Sequence, residues 1–577
     1  MVGTLLLPFL VYLDLALILT LDTWESPATH WIGTCCDPEQ TIWFLRWIPY
    51  VIQHASDPFF THQLNAPNGV NIMWNTAVPF ISLLMTPVTL ALGPIFAYNV
   101  AMIGAVTFSA WCAFLAVRRY ARGLLAPLIG GAVYGFSPYV IPHAAIHLNL
   151  ASVWAPPLFL LLLDDIVIRR RRSPRLLGVA VGVLAVAQLL TSEEILATSA
   201  IAASMVVLLL ALSLRRDRDL LVARGRRLVE ATATGAATFL ALAGWPLAVQ
   251  FLGPGRIAAR VGDSQTFSTD LLNLVLPTKY QLISPEAATQ VSDHFSGLFH
   301  EASAYVGLPL LLLLTVIVAR RWGDLRIRIA GLFGATIFVL SLGPVLHIGA
   351  VSTGWSMPWL PLSHLPLLEN ILPARLAVFM WLAIGVLVAV EIDRIRHVPT
   401  GQGALRLAAL GIAVLLCAPA PLRSSTAEIP PFFYRWQEQG IASDEIVLFA
   451  PFFRNGAGAD PMIWAAATGN EVRMAEAYAK VALPDGGVSI GPPSTQLTDI
   501  MESIQDRGDE VVARGAVRDQ IARDLKSGSI AHVIVGPMPH RDRMVAFFTD
   551  LFGRPPQEID GVQVWRDVDV SGVAPVP

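Results

Sequence analysis

The chain has 577 residues, 54% of them apolar and only 14% charged, with a net charge of −3. A water-soluble chain carries about a quarter charged residues, so a soluble globular protein is excluded, and nothing in the charge balance calls for nucleic acid as a partner. Four cysteines are too few for a disulfide framework.

Long, nearly uncharged runs recur at 4–20, 98–117, 124–142, 149–163, 176–190, 195–213, 228–252, 304–319, 329–348, 376–390 and 407–422. Each approaches the roughly 20 residues that cross a bilayer core, which predicts a polytopic α-helical membrane protein of about 11 spans. The first run lacks a basic flank and a small-residue cleavage site, so it is expected to be a retained span. Arginines crowd the connections 118–122, 169–175, 215–227, 320–328 and 393–397, while the alternate connections are nearly bare of cations. By the positive-inside rule the arginine-rich side is cytoplasmic. The N-terminus is then inside, and everything after 422 is extracytoplasmic.

The first outer loop, 21–97, contains "GTCCDPEQTIWFLRW". Asp37 followed by Pro38 predicts a helix start with Asp37 as its cap; the alternative is a carboxylate held at the membrane surface for chemistry. Trp43, Phe44, Trp47 and Tyr50 suit a helix lying in the membrane interface. Segment 78–96, broken by Pro87 and Pro94, is expected as an interfacial or re-entrant helix rather than a further crossing. Oxidation of the adjacent Cys35 and Cys36 would close a strained ring, so free thiols are expected.

Polar groups at the outer ends of spans are costly and are functional candidates. In "SPYVIPHAAIHLNL", His143 and His147 stand at i, i+4 on one predicted helix face, a spacing open to metal binding or to hydrogen bonding in the headgroup layer. No glutamate lies between them, which excludes the hydrolytic zinc pattern. Glu193 and Glu194 fall in a short polar turn, as caps for the next span or as acceptor-binding groups. Loop 253–303 carries Lys279, the only lysine of the membrane half, with His300 and Glu301 before the next span. Arg375 breaks the charge bias on the outer side; a guanidinium there fits phosphate, against snorkelling to headgroups.

Past 422, apolar runs at 445–452, 531–537 and 561–568 read as strands, with charged helices between the first two. They predict an extracytoplasmic α/β domain, 423–577, beside a membrane domain, 1–422.

An outer carboxylate after the first span, an interfacial helix and then a span ending in "AVRRYARG" resemble the GT-C superfamily of integral-membrane glycosyltransferases. The likeness is to the aminoarabinose-transferase and protein O-mannosyltransferase branch, with a YfhO-type layout. It implies transfer of a hexose or pentose from a polyprenyl-phosphate donor to a glycan, glycolipid or protein outside the plasma membrane, with inversion. It implies Asp37 as catalytic base. Arg375 and Lys279 would meet the donor phosphate, and His143, His147, Glu193, Glu194, His300 and Glu301 would bind acceptor or support the site. A divalent metal is the one candidate cofactor; where many relatives place a second acid this chain has His143, His147 and Asn149, and Glu193 or Glu194 is the candidate for the second carboxylate. A transporter or flippase for a lipid-linked precursor is the alternative; it would more often show inverted repeats, and no convincing repeat is present.

Overall fold

A computed structural model describes residues 3–34, 36–454 and 456–568. The chain forms two compact units, one of Met1–Glu25, Val100–Gly244 and Arg260–Ser424, the other of Ser26–Asn99, Trp245–Ala259 and Ser425–Pro577.

The first unit is helical. Each of the eleven apolar runs overlaps a helix, though 329–348 ends in the strand Val345–Ile348; among the described residues five helices are long and apolar enough to cross a membrane: Pro94–Val117, Leu148–Arg169, Glu193–Ser213, Arg218–Leu252 and Pro373–Ile395. Ala377–Ile395 is buried along almost its whole length. It packs against Leu125–Gly135, where a Cβ on Gly130 would meet the Gly385 carbonyl oxygen at 2.7 Å. Two glycines thus let two backbones touch, the usual device where apolar packing alone must hold helices together. The arginines of the basic connections are paired: Arg119 with Asp165 at 3.2 Å, Arg169 with Asp164 at 2.6 Å and Arg321 with Glu391 at 3.1 Å.

In the second unit, a five-stranded sheet has the order Gln557–Ile559, Val562–Trp565, Ile530–Val535, Ile446–Ala450, Arg473–Met474. The strand Ile446–Ala450 runs parallel to both its neighbours and is buried at every residue. A strand covered on both faces needs a layer on each side. On one face Leu448 packs with Met501, Ile521 and Phe548 of the three helices Gln496–Arg507, Ala516–Ser527 and Arg541–Phe552. On the other, Val447 and Phe449 pack with Trp464 and with Trp43, Phe44 and Trp47 of the helix Asp37–His54. Residues 63–75 bind alongside: the Met474 N–H donates to the Gln63 carbonyl at 2.9 Å, and the Ala66 N–H to the Met474 carbonyl at 2.8 Å.

Three expectations change here. Trp43, Phe44 and Trp47 are at most 3% exposed because they close a protein core; they do not lie in a membrane interface. Segment 78–96 is not one helix. Pro79–Leu92 ends at Gly93, whose φ of +88° only glycine adopts readily, and Pro94 opens the next helix. Cys36 is disulfide-bonded rather than a free thiol; Cys35 lies outside the described residues.

Candidate functional site

Asp37 lies in the first turn of its helix, and Cys36 occupies the N-cap expected for it. Pro38 follows at a position where a missing N–H costs nothing. The Asp37 carboxylate accepts a hydrogen bond from the Tyr478 hydroxyl. Tyr478 is itself held twice more: its carbonyl accepts from Gln40 Nε2 at 2.6 Å, and its ring stacks on Phe453 with centroids 3.8 Å apart. Burial, then the neighbouring Asp37, pushes the phenol above its ordinary range, so it remains a donor.

Around Asp37 the environment favours protonated acids. Glu39 is 4% exposed; burial pushes its carboxyl up to about 8, with Asp460 and Asp37 adding to the rise against a backbone hydrogen bond. Burial also raises Asp460, which opens the helix Asp460–Ala467. Glu476 is lifted by burial to about 7 against the pull of Arg454, 3.1 Å away. Sequence reasoning missed Glu39, Tyr478 and Asp460. Two signals were available: Glu39 is acidic two residues after Asp37, and Asp460–Pro461 repeats the Asp37–Pro38 helix start.

The remaining candidates fall in the first unit. Arg375 donates from Nε to Glu301 at 3.0 Å, from a terminal nitrogen to Glu301 at 2.6 Å, and from the other terminal nitrogen to Glu194. Glu194 also accepts the Leu372 N–H at 2.9 Å. Expected on a donor phosphate, Arg375 is instead committed to two carboxylates, with each guanidinium nitrogen engaged. Glu193 precedes Glu194 at the start of the same helix, and Ser192 caps it. Lys279 sits apart, its ammonium 3.5 Å from the centre of the Phe299 ring.

His143 and His147 do not share a helix face. The helix Val140–Ala144 closes after His143, and His147 is extended (φ −117°, ψ 95°) before the short helix Leu148–Ala151. That break leaves the His147 ring 4.7 Å from the His300 ring. His143 is 3.6 Å from Glu301, too far for a hydrogen bond, and burial holds it below the usual imidazole range. Burial, reinforced by His147, takes His300 down to about 3. Burial pushes the Glu301 carboxyl up, but Arg375 outweighs it and holds the group well below the usual range. Donor atoms of His147, His300 and Glu301 lie within 4.8 Å of one another.

Several solved structures are similar to this chain. The arabinofuranosyltransferase AftD from mycobacteria matches 97% of the chain at 15% identity, with a TM-score of 0.51. The chain spans 40% of that protein's length. ArnT from Cupriavidus metallidurans, bound to undecaprenyl phosphate, matches 98% of the chain and 99% of its own at 12% identity and a TM-score of 0.48. The apo oligosaccharyltransferase of Archaeoglobus fulgidus matches 92% of the chain and 69% of its own at 11% identity and a TM-score of 0.48. No curated protein matches the chain in sequence. These structures are glycosyltransferases of the GT-C superfamily, and the chain shares the fold of AftD. By sequence, the chain belongs to the family described as a domain of unknown function (DUF6311), whose model matches residues 7–416.

Proposed function

We propose that this chain is an integral-membrane glycosyltransferase that moves a sugar from a polyprenyl-phosphate donor to an extracytoplasmic glycan, glycolipid or protein, with inversion. The observation that carries the reading is the Asp37 carboxylate held by Tyr478 in a chain of GT-C fold. Asp37 takes the proton of the acceptor hydroxyl as its oxygen attacks the anomeric carbon. The bond from that carbon to the phosphate oxygen breaks, and polyprenyl phosphate leaves with the electron pair.

The leaving group is anionic and needs a cation rather than an acid. Lys279 is assigned that role. Arg375 contributes to it only when one of its carboxylates is displaced. His143, His147, Glu193, Glu194, His300 and Glu301 are assigned to acceptor binding or to support of the site. About 11 spans of the plasma membrane, a cytoplasmic N-terminus, a membrane domain over 1–422 and an extracytoplasmic 423–577 that binds acceptor complete the proposal. The arginine-rich connections support its topology.

The test is release of polyprenyl phosphate by the full chain in lipid nanodiscs, supplied with a panel of polyprenyl-phosphate sugars. Turnover of one donor that disappears in Asp37→Asn supports the reading. Normal turnover in Asp37→Asn, or consumption of none of the panel, counts against it.

A further inference from the structure

His300 is 3% exposed, and neither of its ring nitrogens has a hydrogen-bond partner. A buried imidazole normally satisfies at least one nitrogen, because leaving a polar atom dry and unpaired costs free energy. The same holds for His143, which is fully buried with both ring nitrogens unpartnered. The imidazole rings converge. The rings of His143 and His300 are 6.2 Å apart, those of His147 and His300 4.7 Å, and Glu301 follows His300 directly in the turn Phe299–Glu301.

Charge points the same way. One guanidinium, Arg375, stands between two carboxylates, Glu194 and Glu301. One cation between two carboxylates gives this trio a formal charge of −1, which a bound cation would offset. Arg375 leaves Glu301 with acceptor capacity to spare, since an ionised carboxylate has about four lone-pair sites.

We propose that His147, His300 and Glu301 form a binding site for a divalent transition metal of the zinc class, with His143 poised as a fourth donor. Imidazole with carboxylate suits zinc, cobalt or nickel rather than magnesium or calcium, which prefer all-oxygen shells. Two histidines and one carboxylate leave a coordination position open, as in zinc sites that also take water or a ligand. All donors belong to the first unit, and none is the Asp37 carboxylate. Bound metal would join the turn Phe299–Glu301 to the break between Val140–Ala144 and Leu148–Ala151, two segments about 150 residues apart in sequence.

The experiment uses the full chain in nanodiscs, stripped with a chelator, reloaded with Co2+ alone and passed over a desalting column. Retained cobalt is measured by mass spectrometry, and its coordination by visible d–d absorption. Wild type and His294→Ala, an exposed histidine of the same loop, are expected to retain about one equivalent with a low-symmetry spectrum. His147→Ala and His300→Ala should bind about 100-fold more weakly, since loss of even supporting contacts around a metal costs 10- to 100-fold. Retention by His300→Ala equal to wild type, or none by wild type, overturns the site. Should the alanine variants not fold, cobalt-edge X-ray absorption of the reloaded wild type decides it: imidazole scattering supports the site, and a shell of oxygen alone rejects it. The readout is metal, so its outcome is independent of whether any sugar is transferred.

Discussion

The Tyr478 hydroxyl donates to the Asp37 carboxylate across 441 residues of sequence. The bond ties the outer loop after the first apolar run to the C-terminal stretch at the one side chain the proposed chemistry needs most. Hydrogen bonds to charged groups contribute about 1.5–3 kcal/mol. Tyr478→Phe should therefore lower the rate of polyprenyl-phosphate release by about 10- to 100-fold. Asp37→Asn should remove it. Equal rates for Tyr478→Phe and wild type would detach the tyrosine from the chemistry.

The buried acids near Asp37 make stability depend on pH. Glu39 rises from 4.5 in the unfolded chain to about 8 in the folded one, so between those values the folded state holds more protons. Stability is then fully present below pH 4.5 and is lost as pH climbs through 8. Glu476, lifted to about 7, acts in the same direction over a narrower window. Thermal unfolding of the full chain from pH 5 to 9 should show a falling apparent Tm, and Glu39→Gln should flatten that fall. An unchanged slope in Glu39→Gln would show that Glu39 ionises freely.

Arg375 offers a charge-rescue test. Breaking a buried ion pair by removing one partner costs about 3–5 kcal/mol, whereas replacing all partners by neutral groups often costs little. Arg375→Met should sharply reduce apparent Tm and yield. Combining it with Glu194→Gln and Glu301→Gln should restore most of both. If Arg375→Met folds normally and only raises the KM for donor, the guanidinium binds phosphate instead.

The contact of Gly130 with the Gly385 carbonyl is tighter than a methyl group allows. Gly130→Val should destabilise the helical unit by about 1–3 kcal/mol, the usual cost of overpacking, read as a lower apparent Tm in detergent. Gly411→Val is the control, since nothing lies within 4 Å of the position its Cβ would take.

Much was legible without coordinates. Apolar runs near the length of a bilayer core announced the helices, because backbone groups in lipid must pair within their own segment. The strands at Ile446–Ala450, Ile530–Val535 and Val562–Trp565 followed from short apolar runs between charged helices. Asp37, Glu194, His300, Glu301 and Arg375 stood out as polar groups at costly positions, and all of them are engaged in the structure or crowded together there.

What sequence could not decide was who meets whom. The aromatic residues of "TIWFLRW" satisfy equally the rules for a membrane interface and for a buried core; only their packing on the second face of the sheet, with Val447, Phe449 and Trp464, settles that they form a core. Spacing placed His143 and His147 on one face, but an extended residue at His147 redirects the ring toward His300. A charge exception marked Arg375 without revealing the two carboxylates that claim it. Local patterns report the preference of each segment for helix, strand or lipid. Burial and pairing depend on atoms brought together from hundreds of residues away, and those only the tertiary structure supplies.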